Sequence, residues 1–489
     1  MNIAEDKRSA DGESEPFISE EEILDGSPLT PEEAAAQYEL KEEWEWELQR
    51  EEKERKERRL LKKAKALIAA PDFLTRVLDI CQRMGVVGEE NSLLTFKLSG
   101  VSRTLPRPVS TMLRGSPSSG KSSTMNAALQ LFNPEIVLER AAISGKALFH
   151  GEGPLTGKIL VLTEYHAGKD SRHLIRLAQT EGVLTDETTV LEGRRRSTAI
   201  TERTGRPSVW TTTSEEKIAA DDLSRFQVVW ADESAEQSLR VMRSRASTPP
   251  KPVDTSELEV WRKATSLIVA EEKDFQHPPK WLRSLPRRMP LERVGIRRDF
   301  ERFLTFLKAI ALCRGCASRP EVIDIELADY AVAYLIFEPV FGGRPRTIAD
   351  QDLELALVVA RLNDQEKRPV TVNEIAEALG WKPALVYKTV KSAVEQNLVM
   401  HEDGTRERNV KRLVARSPEG GRFLPHPRSI LRDYPKLGGS VTFTNPFTGE
   451  PTRIRAEKRG GGKIGGVAPS RCKHGVNQGL CAECAGSQQ

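Results

Sequence analysis

Residues 115–122 read Gly-Ser-Pro-Ser-Ser-Gly-Lys-Ser, the spacing G-x-x-x-x-G-K-S. Glycines let a backbone curl until its N–H groups face phosphate oxygens, and a helix opening behind such a loop adds a positive field. The strand-like run Val109–Leu113 precedes the loop and a helical pattern, Ser122–Leu131, follows it, which is the context the motif requires. Gly115, Ser116, Pro117, Ser118, Ser119, Gly120, Lys121, Ser122 and Ser123 would then cradle a nucleoside triphosphate. Lys121 would pair with its β and γ phosphates, and the Ser122 hydroxyl would ligate Mg²⁺.

A second apolar run, Ile159–Leu162, ends at Thr163-Glu164. An acid at this place can polarise the attacking water, and Glu164 is the candidate. Phosphate hydrolases of this kind usually carry Asp-Glu here, so Thr163 replaces a carboxylate that helps hold Mg²⁺. Mg²⁺ accepts few protein ligands and keeps its waters, so Glu164 with Ser122 could suffice. A third run, Ser208-Val-Trp-Thr, passes into threonines, where Thr212 is placed to orient the water or sense the γ-phosphate. Arg225 stands just before a fourth run, Phe226–Trp230, as an arginine finger would for a neighbouring subunit's γ-phosphate.

Other residues suit nucleic acid and metal. Two β-like runs, Thr188–Leu191 and Ser197–Thr201, flank Gly193-Arg-Arg-Arg196 and predict a hairpin whose Arg194, Arg195 and Arg196 meet phosphates without reading sequence. Residues 350–416 read as helices Leu353–Leu362, Thr371–Gly380 and Ala384–Asn397, then two short strands. This is a winged helix-turn-helix, with Tyr387, Lys388 and Lys391 toward a DNA groove. Near the end, Cys472, His474, Cys481 and Cys484 form C-x-H-x₆-C-x₂-C, a ligand set for a closed, structural Zn²⁺ site. Cys313-Arg-Gly-Cys316 has no nearby ligand partner and reads as structural or incidental.

These groups must be positioned by domains, and composition bounds them. The chain has 489 residues, 38% hydrophobic and 30% charged, with a net charge of only +3. The balance hides segregation: residues 11–54 are acidic, whereas 280–303 and 405–473 are rich in Lys and Arg, as expected of a nucleic-acid-binding chain with an acidic tail. Six cysteines in such a length make no disulfide scaffold. No apolar run approaches the roughly 18 residues of a membrane helix. With no signal-peptide pattern at Met-Asn-Ile-Ala-Glu-Asp, the expectation is a cytoplasmic protein.

The expected division is as follows. Residues 1–64 form an acidic disordered segment and a charged helical arm. Strand-like runs alternate with helices through 65–345, an α/β domain with a mainly parallel sheet and a helical lid, Arg298–Leu312 and Ile325–Phe337. The 350–416 unit comes next. Residues 417–470 read as a basic Gly/Pro-rich linker with a hairpin near Val441–Thr444, and 471–489 as the zinc-binding tail.

Ser224-Arg225-Phe226 after a polar strand end is similar to the finger motif of minichromosome maintenance helicases. Arg298-Asp-Phe-Glu-Arg-Phe-Leu resembles their second sensor helix, and Val322–Leu335 the lid helix after it. That resemblance implies that Arg298, with Arg297 as fallback, touches the γ-phosphate from the lid, and that the basic hairpin faces a central channel. The chain resembles more closely the AAA+ helicase-like ATPases of phages and integrative mobile elements, often encoded beside a zinc-finger primase. Pro71-Asp-Phe-Leu, Met84-Gly-Val-Val-Gly-Glu-Glu, Leu98–Arg103, Arg172–Leu184 and Asp232-Glu-Ser-Ala-Glu-Gln-Ser carry this resemblance, over roughly 65–345. In that group a Glu after a non-Asp residue is ordinary at the second strand end.

The resemblance implies a P-loop AAA+ ATPase core using ATP and Mg²⁺. It implies a ring, a homo-hexamer, acting on single-stranded or forked DNA, with a primase or other replication protein as partner. The alternatives are a helicase loader or remodeller, and an ATP-switched DNA-binding regulator that does not unwind.

Overall fold

The apolar runs of the sequence become one five-stranded sheet. The computed structural model describes residues 31–140, 153–162, 165, 169–192, 195–215, 218–247, 253–269, 274–275, 278–289, 295–315, 322–341, 350–366, 368–395, 399–401, 412–415 and 424–456. Thr163, Glu164, Arg194, Cys316, the acidic residues 1–30 and the cysteine tail lie outside them. The chain divides into two units, Met1–Ala66 and Leu67–Gln489. The first contributes most of helix α1, Pro31–Ala69. Its charged sequence stays in solvent, as do Tyr38 and Trp46, and Arg50 lies over the Trp46 ring.

In the second unit, α2 (Phe73–Arg83) and α3 (Glu90–Val101) lead into the sheet. Its strands are β1 (Ser110–Arg114), β2 (Val137–Arg140), β3 (Ile159–Leu162), β6 (Ser208–Thr213) and β7 (Phe226–Trp230). They run parallel in the order β2-β3-β6-β1-β7. Helix α4 (Lys121–Leu129) follows β1, and α5 (Lys169–Thr180) follows β3. A parallel sheet must be covered on both faces, and it is. Trp210 of β6 is fully buried against Phe96 of α3 and Phe132 beyond α4, at ring distances of 4.9 and 5.6 Å. Its indole N–H donates to Ser99 and Ser208 hydroxyls, so the polar edge of the ring is satisfied. The other face packs Leu160, Leu162 and Val209 on Tyr165, Ile175 and Phe226.

Between α5 and β6 the chain forms β4 (Val183–Glu192) and β5 (Arg195–Thr204), an antiparallel pair joined by two residues. Both strands are longer than their sequence pattern suggested. Ten residues reach about 30 Å, so the ribbon is a long arm.

After α6 (Ala220–Leu223) and β7 come α7 (Ala235–Ala246) and α8 (Thr255–Leu267). The segment β8 (Asp274–Phe275) pairs with β9 (Val322–Ile323) around α9 (Lys280–Ser284) and α10 (Ile296–Gly315). Helix α11 (Leu327–Phe341) packs on α10 through aromatic rings, Phe306 stacking on Phe337 at 4.1 Å. Among the described residues no helix is long and apolar enough to cross a membrane.

The 350–415 region has its own core. Helices α12 (Asp350–Glu366), α13 (Val372–Leu379) and α14 (Pro383–Glu395) enclose Leu355, Val359, Ile375, Val386 and Val390. A small antiparallel sheet closes it: β10 (Val370–Thr371), β11 (Val399–His401) and β12 (Arg412–Ala415), in the order β10-β12-β11. Thr371 and Glu374 form a reciprocal capping box at the start of α13, and Gly380 ends it in the left-handed region.

The expectation of a linker over 417–470 needs correction. Residues 424–456 fold as α15 (Pro427–Asp433) and the hairpin β13 (Ser440–Thr444) and β14 (Pro451–Arg455). They dock on α11 and α2. Tyr330 donates to Pro425 O at 2.6 Å, Glu338 accepts from the Leu424 N–H, and Thr75 donates to Pro446 O. The segment is too poor in apolar residues to form its own core. It folds because Leu424, Ile430, Leu431 and Phe443 are buried on surfaces the rest of the chain supplies.

Candidate nucleotide site and interface cluster

The loop at residues 115–120 springs from the carboxyl end of β1 and turns into α4. Ser118 and Gly120 have φ of +66° and +83°, the left-handed turns that curl the loop. Glycine pays little for this conformation and serine does pay. Lys121 folds back along the loop, its Nζ donating to Gly115 O at 3.0 Å and Ser116 O at 2.6 Å. Its ammonium is therefore held at the loop's beginning. Ser122 and Ser123, in the first turn of α4, are exposed. Ser122 lines a cavity of about 620 Å³ with Asn126, Glu139 and Arg262. A second cavity, about 420 Å³, lies between Ser116–Gly120 and α7.

Beside the loop, β6 ends next to β1. Thr212 pairs with Leu113, Thr213 pairs with Arg114, and the Gly115 N–H donates to Thr213 O. Side chains alternate along a strand. Thr212 therefore shares the face of Trp210, which is the side covered by α3 and α4. Thr213 points the other way, its hydroxyl accepting from the Glu215 N–H. Thr212 is almost fully buried. Glu164 itself is not described, but its flanks are: Leu162 pairs with Thr211, and the Tyr165 N–H donates to Thr212 O.

A residue that sequence reasoning gave no role completes this corner. Glu233, in the turn after β7, accepts a hydrogen bond from the Ser116 N–H. A Cβ on Gly115 would lie 3.0 Å from Glu233 Oε1 and 2.9 Å from Ala231 Cβ, so only glycine permits this approach. The signal was the acidic pair Asp232-Glu233 directly after an apolar strand.

Arg225 and Arg298 lie elsewhere, and together. Phe226 of β7 pairs with Ser110, the beginning of β1. Arg225 is therefore at the opposite end of the sheet from the loop, about 16 Å away for five strand residues. Its guanidinium donates to Asp221 Oδ1 at 2.6 Å and to Asp221 O at 2.8 Å. That hydrogen bond holds the Asp221 carboxyl below its ordinary pKa. Arg298, exposed at the start of α10, donates to the Ser224 hydroxyl, and Arg302 to Ser224 O at 2.7 Å. Arg176 pairs with buried Asp222 at 2.8 Å. The edge is thus an arginine-rich cluster knitted by aspartates. Arg297 is exposed beside it.

The remaining candidates are spread out. For Arg195 and Arg196 only the strand path is described. Tyr387, Lys388 and Lys391 are exposed on α14, while Val386 and Val390 face the core. Cys313 is buried. Among the described residues no cluster of His, Cys, Asp or Glu has a metal-binding arrangement. The cysteine tail lies outside those residues.

Residues 59–271 match a family described as the MTBMA_p00010 P-loop domain, less than half of the chain. The core is a P-loop nucleotide-binding domain. Among solved structures, this P-loop protein is similar to one titled SCCmec type IV Cch - active helicase. The identity is 12%, over 66% of this chain and 67% of that one, with a TM-score of 0.28. It is also similar to the Aeropyrum pernix ORC1 protein in complex with DNA, at 13% identity over 76% and 97%, with a TM-score of 0.22. Overlaps this loose carry no conclusion about how the chain works. No curated protein matches it.

Proposed function

We propose that this chain is an AAA+ ATPase that assembles into a ring, a homo-hexamer, and works on DNA as a replicative-type helicase of a mobile element. The observation that carries the reading is the division of labour across the sheet. The phosphate loop sits at the carboxyl ends of the strands, and Arg225 with Arg298 at the amino ends, out of reach of their own chain's loop. Cations so placed complete a nucleotide site only when a second copy supplies the loop.

In such a ring Lys121 and the loop N–H groups neutralise the phosphates, and the Ser122 hydroxyl would hold Mg²⁺. Mg²⁺ supplies charge neutralisation between the phosphates when bound. Glu164 orients and deprotonates water, Thr212 positions it, and Arg225 and Arg298 of the neighbour stabilise charge on the transferred phosphoryl group.

The β4–β5 ribbon, carrying Arg194, Arg195 and Arg196, would grip single-stranded or forked DNA through its phosphates. The 350–415 unit has the element order of a winged helix-turn-helix, and its exposed Tyr387, Lys388 and Lys391 would contact duplex. From their spacing, Cys472, His474, Cys481 and Cys484 would hold a structural Zn²⁺, and the tail would serve a primase or other replication protein. Zinc content of the purified protein, lost on Cys481→Ser, tests this last point.

The deciding experiment is ATP turnover with and without single-stranded DNA, beside Glu164→Gln and Arg225→Ala, together with unwinding of a fork. DNA-stimulated turnover lost in both variants, with unwinding, is the expected result. Turnover without unwinding would make the chain a loader or remodeller. ATP binding without turnover would make it a switched regulator.

A further inference from the structure

Glu233 is not placed by chance. The turn that presents it is bolted at several points. The Ala231 N–H donates to Arg114 O at 2.8 Å, continuing the sheet. The Asp232 N–H donates to Glu89 Oε1 at 2.7 Å, and the other oxygen of Glu89 accepts from the Ser92 hydroxyl. Asp232 in turn accepts from the Ser234 N–H, and Ser234 caps α7 by accepting from the Gln237 N–H. The Gln237 amide donates to Val87 O at 2.5 Å, so close that a Cβ on Gly88 would strike it. Three segments, 87–92, 231–234 and the start of α7, thus form one frame. From it the Glu233 carboxylate reaches the Ser116 N–H in the opening turn of the phosphate loop, at the end where the Lys121 ammonium is held.

We propose that Glu233 is a positioning residue of the nucleotide site: its carboxylate fixes the opening turn of the phosphate loop through Ser116 and so sets nucleotide affinity. This rests on the nucleotide-site reading above and deepens it. A loop whose N–H groups must converge on phosphate loses affinity when its first turn is free to sample other conformations, because binding must then order it. The acceptor matters here, not the charge, since a carboxylate this close to the loop does nothing to attract a triphosphate.

The test is calorimetric binding of Mg-ATP and Mg-ADP to the full-length protein, with steady-state turnover, for Glu233→Ala, Glu233→Gln and Lys121→Ala. Loss of a charged hydrogen bond predicts that Glu233→Ala weakens both nucleotides about tenfold, with the loss in KM rather than kcat. Glu233→Gln keeps an acceptor oxygen and should recover affinity to within about threefold of the parent. Wild-type affinity in Glu233→Ala would overturn the proposal. So would a Glu233→Gln defect equal to that of Glu233→Ala, and so would a kcat loss at unchanged affinity, which would make the carboxylate a catalytic base. Lys121→Ala reports on the underlying reading: if it binds nucleotide like the parent protein, the nucleotide site itself is wrong and the proposal falls with it.

Discussion

Arg225 Nη1 lies 2.6 Å from Asp221 Oδ1, one helical turn earlier in the chain, so a candidate finger is held by an acid of its own subunit. A planar guanidinium can keep that contact and still present donors outward. Arg225→Ala should therefore leave nucleotide binding intact and lower DNA-stimulated turnover about a thousandfold or more. Arg225→Lys should not rescue it. Mixing Arg225→Ala with Lys121→Ala protein should restore part of the turnover, because one junction of the mixed ring then has both an intact loop and an intact finger. Absence of recovery across all mixing ratios would argue against action between subunits.

Ser118 stores strain in the phosphate loop, with φ of +66°. Glycine takes this conformation freely, so Ser118→Gly should change stability by less than about 1 kcal/mol and keep nucleotide affinity within about twofold. A β-branched Ser118→Val cannot take it easily, and should weaken nucleotide binding by tenfold or more at about 1–3 kcal/mol of strain. Thermal melts with and without nucleotide measure both.

Lys97 is fully buried in α3, its ammonium 4.5 Å from the Phe132 ring centre and 5.7 Å from that of Trp261, and bonded to the Thr265 hydroxyl. Burial pushes its pKa down to about 7. The folded value lies below the unfolded one, so the unfolded chain binds more protons between about pH 7 and pH 10.5. Stability should rise with pH across that window, the cost of burying the charge being largest below pH 7. Lys97→Met should flatten the rise. Urea unfolding at pH 7 and pH 9 for both proteins gives the comparison, and equal slopes would refute the assignment.

Glu374 gives the same sign of pH dependence from a different cause, a stabilised charge where Lys97 has a penalised one. Hydrogen bonds, first from Arg368 and then from the Thr371 N–H, hold its pKa down to about 2. Its contribution is fully present above the ordinary carboxylate range and is lost as pH falls toward 2. Thr371→Ala should cost the 350–415 unit about 1 kcal/mol at pH 7. Glu374→Gln should reduce the difference in melting temperature between pH 6 and pH 3.

Much of this was legible locally. The strand runs at 159–162 and 226–230 fold with the bounds the sequence showed, because a strand buried on both faces is a continuous apolar run. Gly380 as a helix stop and the valines of α14 were visible for the same kind of reason: each depends on its own turn of chain. Within residues 424–456 the hairpin near Val441–Thr444 was legible, but the docking of the segment was not, since its partners such as Tyr330, Glu338 and Thr75 are distant in the chain. Glu233 was visible as an acid and invisible as a neighbour of Ser116, which is 117 residues distant.

By itself, then, the sequence determined the phosphate loop, the strands and helices that flank it, and the identity of the cations and acids available for chemistry. These follow from side-chain type and short-range periodicity. Only the tertiary structure decided which end of the sheet each group occupies. Strand order and parallel register carry Thr212 to the loop and Arg225 to the far side. The α10 contact with Ser224 puts Arg298 there too, and the frame around Glu89 and Gln237 brings Glu233 to the phosphate loop. Such pairings are settled by burial of the whole sheet and by hydrogen bonds between distant segments, and no local stretch of chain contains them.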